Sequence, residues 1–279
     1  MVDSISVSTA CASSPGVRLL GETDWEWRRL GPTPRAVQAF GLREDEVRRL
    51  PGGAGYVWTD GRVVVKPVGY VPEHDWVCEV FARWDNDFVR VPEPVFPEDD
   101  NSSGWSVDGW GAHVFVPGRD AELLRELDVI REASDAFHHA VRDLTRPAFM
   151  DHRDDPWAYG DRLAWQTAAP DGDDDTLELI RLLRDQLAPV AAPDQAIHGD
   201  ILPNVLVADG LPPAVIDWPP HFRPIGAANA VAITDAITFH GGPLSLLDEW
   251  GTGEEWNQLL MRALCIALAR PHSSLPAIG

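Results

Sequence analysis

Between His198 and Trp218 the chain carries three oxygen-bearing side chains in an order suited to chemistry on phosphate: Asp200, Asn204 and Asp217. The stretch reads His198-Gly199-Asp200-Ile201-Leu202-Pro203-Asn204, then the apolar run Val205-Leu206-Val207, the pair Asp209-Gly210, and Ala214-Val215-Ile216-Asp217-Trp218. An Asp-Gly pair between apolar runs favours a tight reversal. Asn204 and Asp217 would then emerge at the same end of one hairpin. Two oxygen ligands placed there could hold Mg²⁺, a hard cation that takes few protein groups and completes its shell with phosphate and water. Asp200, on the loop just before, is left to meet a substrate hydroxyl, and the whole is the layout of a phosphoryl-transfer site.

A second chemical group comes from composition. Lys66 is the only lysine in the chain; every other cationic side chain, histidine aside, is arginine. Lysine is a compact point charge on a flexible stem, and the planar guanidinium fork does not replace it in a tight site. Lys66 ends the strand Val63-Val64-Val65-Lys66, which follows Tyr56-Val57-Trp58 and the turn Asp60-Gly61. Just upstream lies Leu50-Pro51-Gly52-Gly53-Ala54-Gly55. Glycines between strands let backbone N–H groups approach phosphates without side-chain obstruction.

The elements that must position these groups follow from pattern. Thr33-Pro34 starts a short helix, with Thr as N-cap, that stops at Gly41. Residues 73–84 read as a helix whose apolar arc holds Trp76, Val77, Val80, Phe81 and Trp84, with Glu79 at its border and Glu73 at its start. Trp105-Ser106-Val107 and Gly111 to Val116 read as two strands around Asp108-Gly109. Asp120 opens a helix to about Leu144, Asp155-Pro156 caps another to about Trp165, and a third runs to about Leu187. Trp218 to Pro224 is stiff with prolines, and helices follow over 227–240, 243–250 and 253–269.

This set of features resembles the aminoglycoside phosphotransferase, kinase-like superfamily, whose signature is a His-Gly-Asp loop ending in Asn, followed by Ile-Asp-Trp or a close variant. The segments 41–66, 105–118 and 198–239 look like an uncharacterised subgroup from high-GC bacteria. The resemblance implies an α+β, two-lobed protein-kinase-like fold. Residues 1–21 would form a flexible leader. Residues 22–117 would form a nucleotide-binding lobe of antiparallel sheet plus helix, and 118–279 a mainly helical lobe with the catalytic loop and acceptor pocket. It implies Asp200 as catalytic base, Asn204 and Asp217 as Mg²⁺ ligands, and His198 as a structural member of the loop. ATP or GTP would bind through Gly52, Gly53, Gly55, Lys66 on the α- and β-phosphates, and the Val114 carbonyl and Val116 N–H at the hinge. Glu79, preferred over Glu73, would pair with Lys66. One departure stands out: the family usually places Asn five residues after the Asp, and here it is four.

The remaining bounds are coarser. The 279 residues, 44% hydrophobic, suffice for two lobes with a core, and no apolar run approaches a membrane span. The three scattered cysteines fit a reducing cytoplasm. A net charge of −21 argues against nucleic acid and anionic membrane as partners and is compatible with a cationic acceptor, such as an aminoglycoside-like compound or amino-sugar. Asp151, Asp154, Asp155 and Asp161, between hinge and catalytic loop, are candidates to line its site. A solvated acidic surface accounts for the same charge. The competing function is a kinase-like nucleotide-binding protein without transfer activity.

Overall fold

The computed structural model describes residues 29–51, 55–170 and 175–269. Positions 1–28, including the whole leader, therefore lie outside the described residues, as do Gly52 and Gly53. The first lobe is a five-stranded antiparallel sheet in the order β1-β2-β3-β5-β4, formed by Arg48–Arg49, Trp58–Thr59, Val63–Pro67, Trp110–Val114 and Ser106–Val107 respectively. Helix α1, Pro34–Ala39, caps one face; Thr33 Oγ1 accepts the Ala36 N–H at 3.1 Å, as its sequence requires. Phe40, Val65, Val107 and Trp110 form the small core between them. The β4–β5 reversal puts Asp108 and Gly109 both at positive φ, 50° and 75°, the conformation an Asp-Gly hairpin pair tolerates.

Helix α2 spans Val71–Phe81. Its apolar arc does not pack under the sheet. Trp76 and Phe81 instead meet Trp218 of the second lobe, with ring centroids 5.2 and 5.7 Å away, and Phe137 closes on the same indole at 5.1 Å. One aromatic cluster thus joins α2 to the strand end that carries Asp217.

In the second lobe, β6 (Arg119–Asp120), β8 (Val205–Val207) and β9 (Ala214–Val215) form a three-stranded sheet in the order β6-β8-β9. Asp120 was expected to open a helix. It lies in this sheet because Arg119 and Asp120 pair with Val207 and Leu206, and α3 begins later, over Leu127–Val141. The proline-rich stretch after Trp218 is a strand, β10 (Pro220–Pro224), antiparallel to β7 (Asp194–His198). Its prolines are tolerated because this sheet has two strands, so β10 has one free edge. Around these sheets lie α4 (Pro156–Ala164, capped by Asp155), α5 (Asp175–Arg184), α6 (Gly226–His240), α7 (Leu246–Glu249) and α8 (Glu254–Ala269). Helix α6 is alanine-rich and largely buried, with Asp235 in its enclosed middle. No helix among the described residues is long and apolar enough to cross a membrane.

Three enclosed histidines tie stability to pH. Burial depresses His113 and His198 to about 3 and His138 to about 4. Unfolded, each would titrate near ~6.5. Below that value the unfolded chain takes up protons that the folded chain refuses. The contribution is therefore full above pH ~6.5 and declines by up to ~1.4 kcal/mol per pH unit for each ring as pH falls toward ~4. Urea midpoints measured at pH 7.5, 6.5, 5.5 and 4.5 should fall progressively below the second value; a flat series would contradict neutral burial of these rings.

Candidate active site

The strand β3 alternates, so Val65 turns into the sheet core and Lys66 turns toward the second lobe. There the Lys66 ammonium pairs with Asp217 Oδ1. The pair spans 151 residues of sequence and sits where the lobes face each other, with the lysine 33% and the aspartate 53% exposed. Asp217 has φ 55°, a left-handed conformation that asparagine and aspartate adopt more readily than most residues. The conformation turns its carboxylate out of the strand line while Trp218 turns inward. The Lys66 charge is the main cause holding the Asp217 carboxyl below its ordinary range.

Asp217 and Asn204 are neighbours through the backbone, since the Ile216 N–H donates to Asn204 O at 3.0 Å. The hairpin between them is wider than a tight Asp-Gly turn. Pairing ends at Leu206 and Ala214, and Gly210, at φ 72°, sits inside a longer loop. The expected juxtaposition holds because the ladder pairs Val205 with Val215 at the open end.

The loop from Asp200 to Asn204 closes on itself despite its short length. Asn204 Nδ2 donates to Asp200 O at 2.6 Å and lies 3.5 Å from Asp200 Oδ2. Since Nδ2 faces two oxygens of Asp200, Oδ1 is the atom of Asn204 suited to a cation. That oxygen and the Asp217 carboxylate form a donor set compatible with Mg²⁺, which needs few protein ligands. Among the described residues no group of three or more His, Cys, Asp or Glu could hold a metal by itself.

A buried histidine pair supports this loop. His198 Nδ1 accepts the Asp200 N–H at 3.1 Å, so its Nε2–H donates to Ile216 O at 3.0 Å. The His198 N–H in turn donates to His138 Nε2 at 3.0 Å, leaving the His138 Nδ1–H for Ser134 Oγ at 3.1 Å. One imidazole thus links the loop that presents Asp200 to the strand that presents Asp217. The role of His138 on α3 carries no local sequence signal.

The glutamate on α2 needs correction. Glu79 is exposed, whereas Glu73 is half-buried. Residues four apart share a helix face, so Glu73 lies with Val77 and Phe81, while Glu79 stands two residues from Val77 on the far side. The Glu73 carboxylate meets Arg153 of the second lobe at 3.2 Å, not Lys66. Burial raises the Glu73 carboxyl, against the lowering effect of the Arg153 charge. Arg153 also contacts Asp155 at 3.0 Å and donates to Pro220 O at 2.8 Å, so it ties α2 to α4 and β10.

Gly55, with φ 79°, is the one expected loop glycine among the described residues. Val114 ends β5; it is exposed, and its N–H donates to Glu93 O at 2.7 Å. Val116, half-buried, follows on the passage between lobes. The four acidic candidates for an acceptor site each have an arginine partner: Asp151 with Arg146 at 2.7 Å, Asp154 with Arg162 at 3.5 Å, Asp155 with Arg153 at 3.0 Å, and Asp161 with Arg223. They are largely neutralised within the fold, in contrast to a lining of free carboxylates.

An antiparallel sheet lobe and a mainly helical lobe, facing each other across Lys66 and Asp217, define a two-lobed protein-kinase-like fold. The pattern of the phosphotransferase enzyme family (APH) matches residues 56–219, more than half of the chain, and the chain belongs to that family. Among solved structures it is similar to the aminoglycoside phosphotransferase APH(4)-Ia, with a TM-score of 0.50 and 18% identity over 86% of this chain and 89% of that one. The streptomycin–ATP complex of APH(2")-IIa gives a TM-score of 0.47 at 13% identity, covering 70% of this chain and 72% of that one. Spectinomycin phosphotransferase APH(9)-Ia with ADP and spectinomycin gives 0.44 at 13%, covering 80% and 76%. No curated protein matches the chain by sequence.

Proposed function

We propose that this chain is a small-molecule kinase that transfers the terminal phosphoryl group of ATP or GTP to an alcohol. The observation that carries the reading is the meeting of Lys66 and Asp217 across the lobes, with Asn204 and Asp200 on the adjoining loop. The nucleotide would lie between a lobe of residues 22–117 and one of residues 118–279. Gly55, with Gly52 and Gly53, would approach the phosphates, Lys66 would bind their α- and β-oxygens, and Val114 and Val116 would meet the base.

Asp217 and Asn204 would hold Mg²⁺, which supplies charge neutralisation at the phosphate oxygens. Asp200 would accept a hydrogen bond from the acceptor hydroxyl. The acceptor oxygen bonds to the γ-phosphorus, the bond from that phosphorus to the β–γ bridging oxygen breaks, and the hydroxyl proton passes to Asp200. The rate enhancement would come from orientation and from preorganised charge. The backbone links from His198 to Asp200 and Ile216 suit that demand, because they fix both acidic groups before substrate arrives.

The acceptor is a hydroxyl-bearing small molecule met in the cytoplasm. An aminoglycoside-like or amino-sugar cation is supported by the net charge of −21. The arginine-paired state of Asp151, Asp154, Asp155 and Asp161 weighs against those residues as its anchor. The decisive experiment is calorimetry of Asp217→Ala with ADP or ATP, with and without Mg²⁺. Mg²⁺-dependent tightening should disappear, a loss of about tenfold or more in affinity for one charged contact of ~1.5–3 kcal/mol. Unchanged Mg²⁺-dependent binding would remove Asp217 from the metal site. Retained nucleotide binding without turnover on any hydroxyl compound would favour a binding protein lacking transfer activity.

A further inference from the structure

The chemistry proposed above leaves one group beside Asp200 unused. His221 is the second residue of β10, opposite Ile197. Its Nδ1 is 3.6 Å from Asp161 Oδ1, and Asp161 is itself held by Arg223 Nε at 3.0 Å. On its other side the imidazole presses on Gly199, the residue before Asp200. A Cβ at Gly199 would fall 2.4 Å from His221 Cδ2 and 2.8 Å from its Nε2. Gly199 is not among the glycines at positive φ, so the small residue answers the closeness of the ring and not a backbone requirement. The Gly199 N–H donates to Pro219 O at 3.0 Å, which closes the contact from the backbone side. His221 and Asp161 are each only 12% exposed, so the ring has little freedom to swing away.

We propose that His221 is a positioning residue: anchored by Asp161, it wedges against Gly199 and fixes the direction in which Asp200 is presented. The proposal rests on Asp200 being the catalytic base. It differs from a general packing role because the ring touches the backbone immediately before that group.

The test combines hydrogen exchange of the segment 196–204 with steady-state ADP release from Mg-ATP, water serving as acceptor. His221→Ala should speed exchange in that segment by about tenfold and lower kcat by a similar factor while leaving KM for ATP within about twofold, the pattern of a group displaced from a productive geometry. His221→Asn, which keeps a polar group near Asp161 but withdraws the ring from Gly199, should behave alike and serves if the alanine variant does not fold. Gly199→Ala should be slower in the parent than in the His221→Ala background, where the added methyl has room. Exchange in 196–204 unchanged by both His221 variants overturns the proposal, as does loosening spread evenly through the lobe. If the parent releases no ADP with water, the hydroxyl-compound panel tests the kinase reading, and the exchange measurement decides the role of His221 by itself.

Discussion

Asp200→Ala should lower turnover by about 10²–10⁴-fold, the range a positioned general base contributes, while Mg-nucleotide affinity stays close to that of the parent. The structure makes this substitution clean. The loop is held by the Asp200 N–H on His198 and by Asn204 on Asp200 O, both backbone bonds that survive removal of the carboxylate. The 3.5 Å approach of Asn204 to Oδ2 is lost with the carboxylate. The measurement is coupled ADP release across a panel of hydroxyl compounds, with calorimetry of ADP binding beside it. Turnover within threefold of the parent would sink the assignment of Asp200.

Lys66→Arg should cost about 10²-fold in turnover, comparable to the loss of one preorganised donor, although the charge is kept. The ammonium pairs with Asp217, and its charge also bears on two enclosed imidazoles, His74 and His113, each depressed chiefly by burial and further by Lys66. A guanidinium brings five N–H donors in a rigid plane. The ion pair at this position offers it one carboxylate. The expected signature is a fall in kcat with a rise in KM for ATP and an unfolding midpoint near that of the parent. An arginine variant kinetically equal to the parent would mean that the lone lysine marks no special site.

Much of the scaffold was legible because its causes are local. Thr33-Pro34, Asp155-Pro156 and Asp108-Gly109 each specify a cap or turn within a few residues, and the structure forms each there. The Val205–Val215 ladder follows from two apolar runs around a turn signal. Where the reading failed, the deciding partner was distant. Asp120 joins a strand because Leu206 lies beside it. Glu79 is the exception. The helical period itself places Glu73 with Val77 and Phe81, so that error was avoidable from sequence.

The order of Asp200, Asn204 and Asp217, the single lysine and the glycine loop are written in the chain itself, because residue type and short spacing suffice to define that chemistry. Which charges are free and which are spent was settled only by folding. Arg153 reaches Glu73 across the lobes, arginines neutralise the acidic candidates, and His138 and His221 come to rest against the catalytic loop. Several of these contacts join positions tens of residues apart, and the energies of all of them depend on distance and burial. Neither quantity exists until the chain has packed.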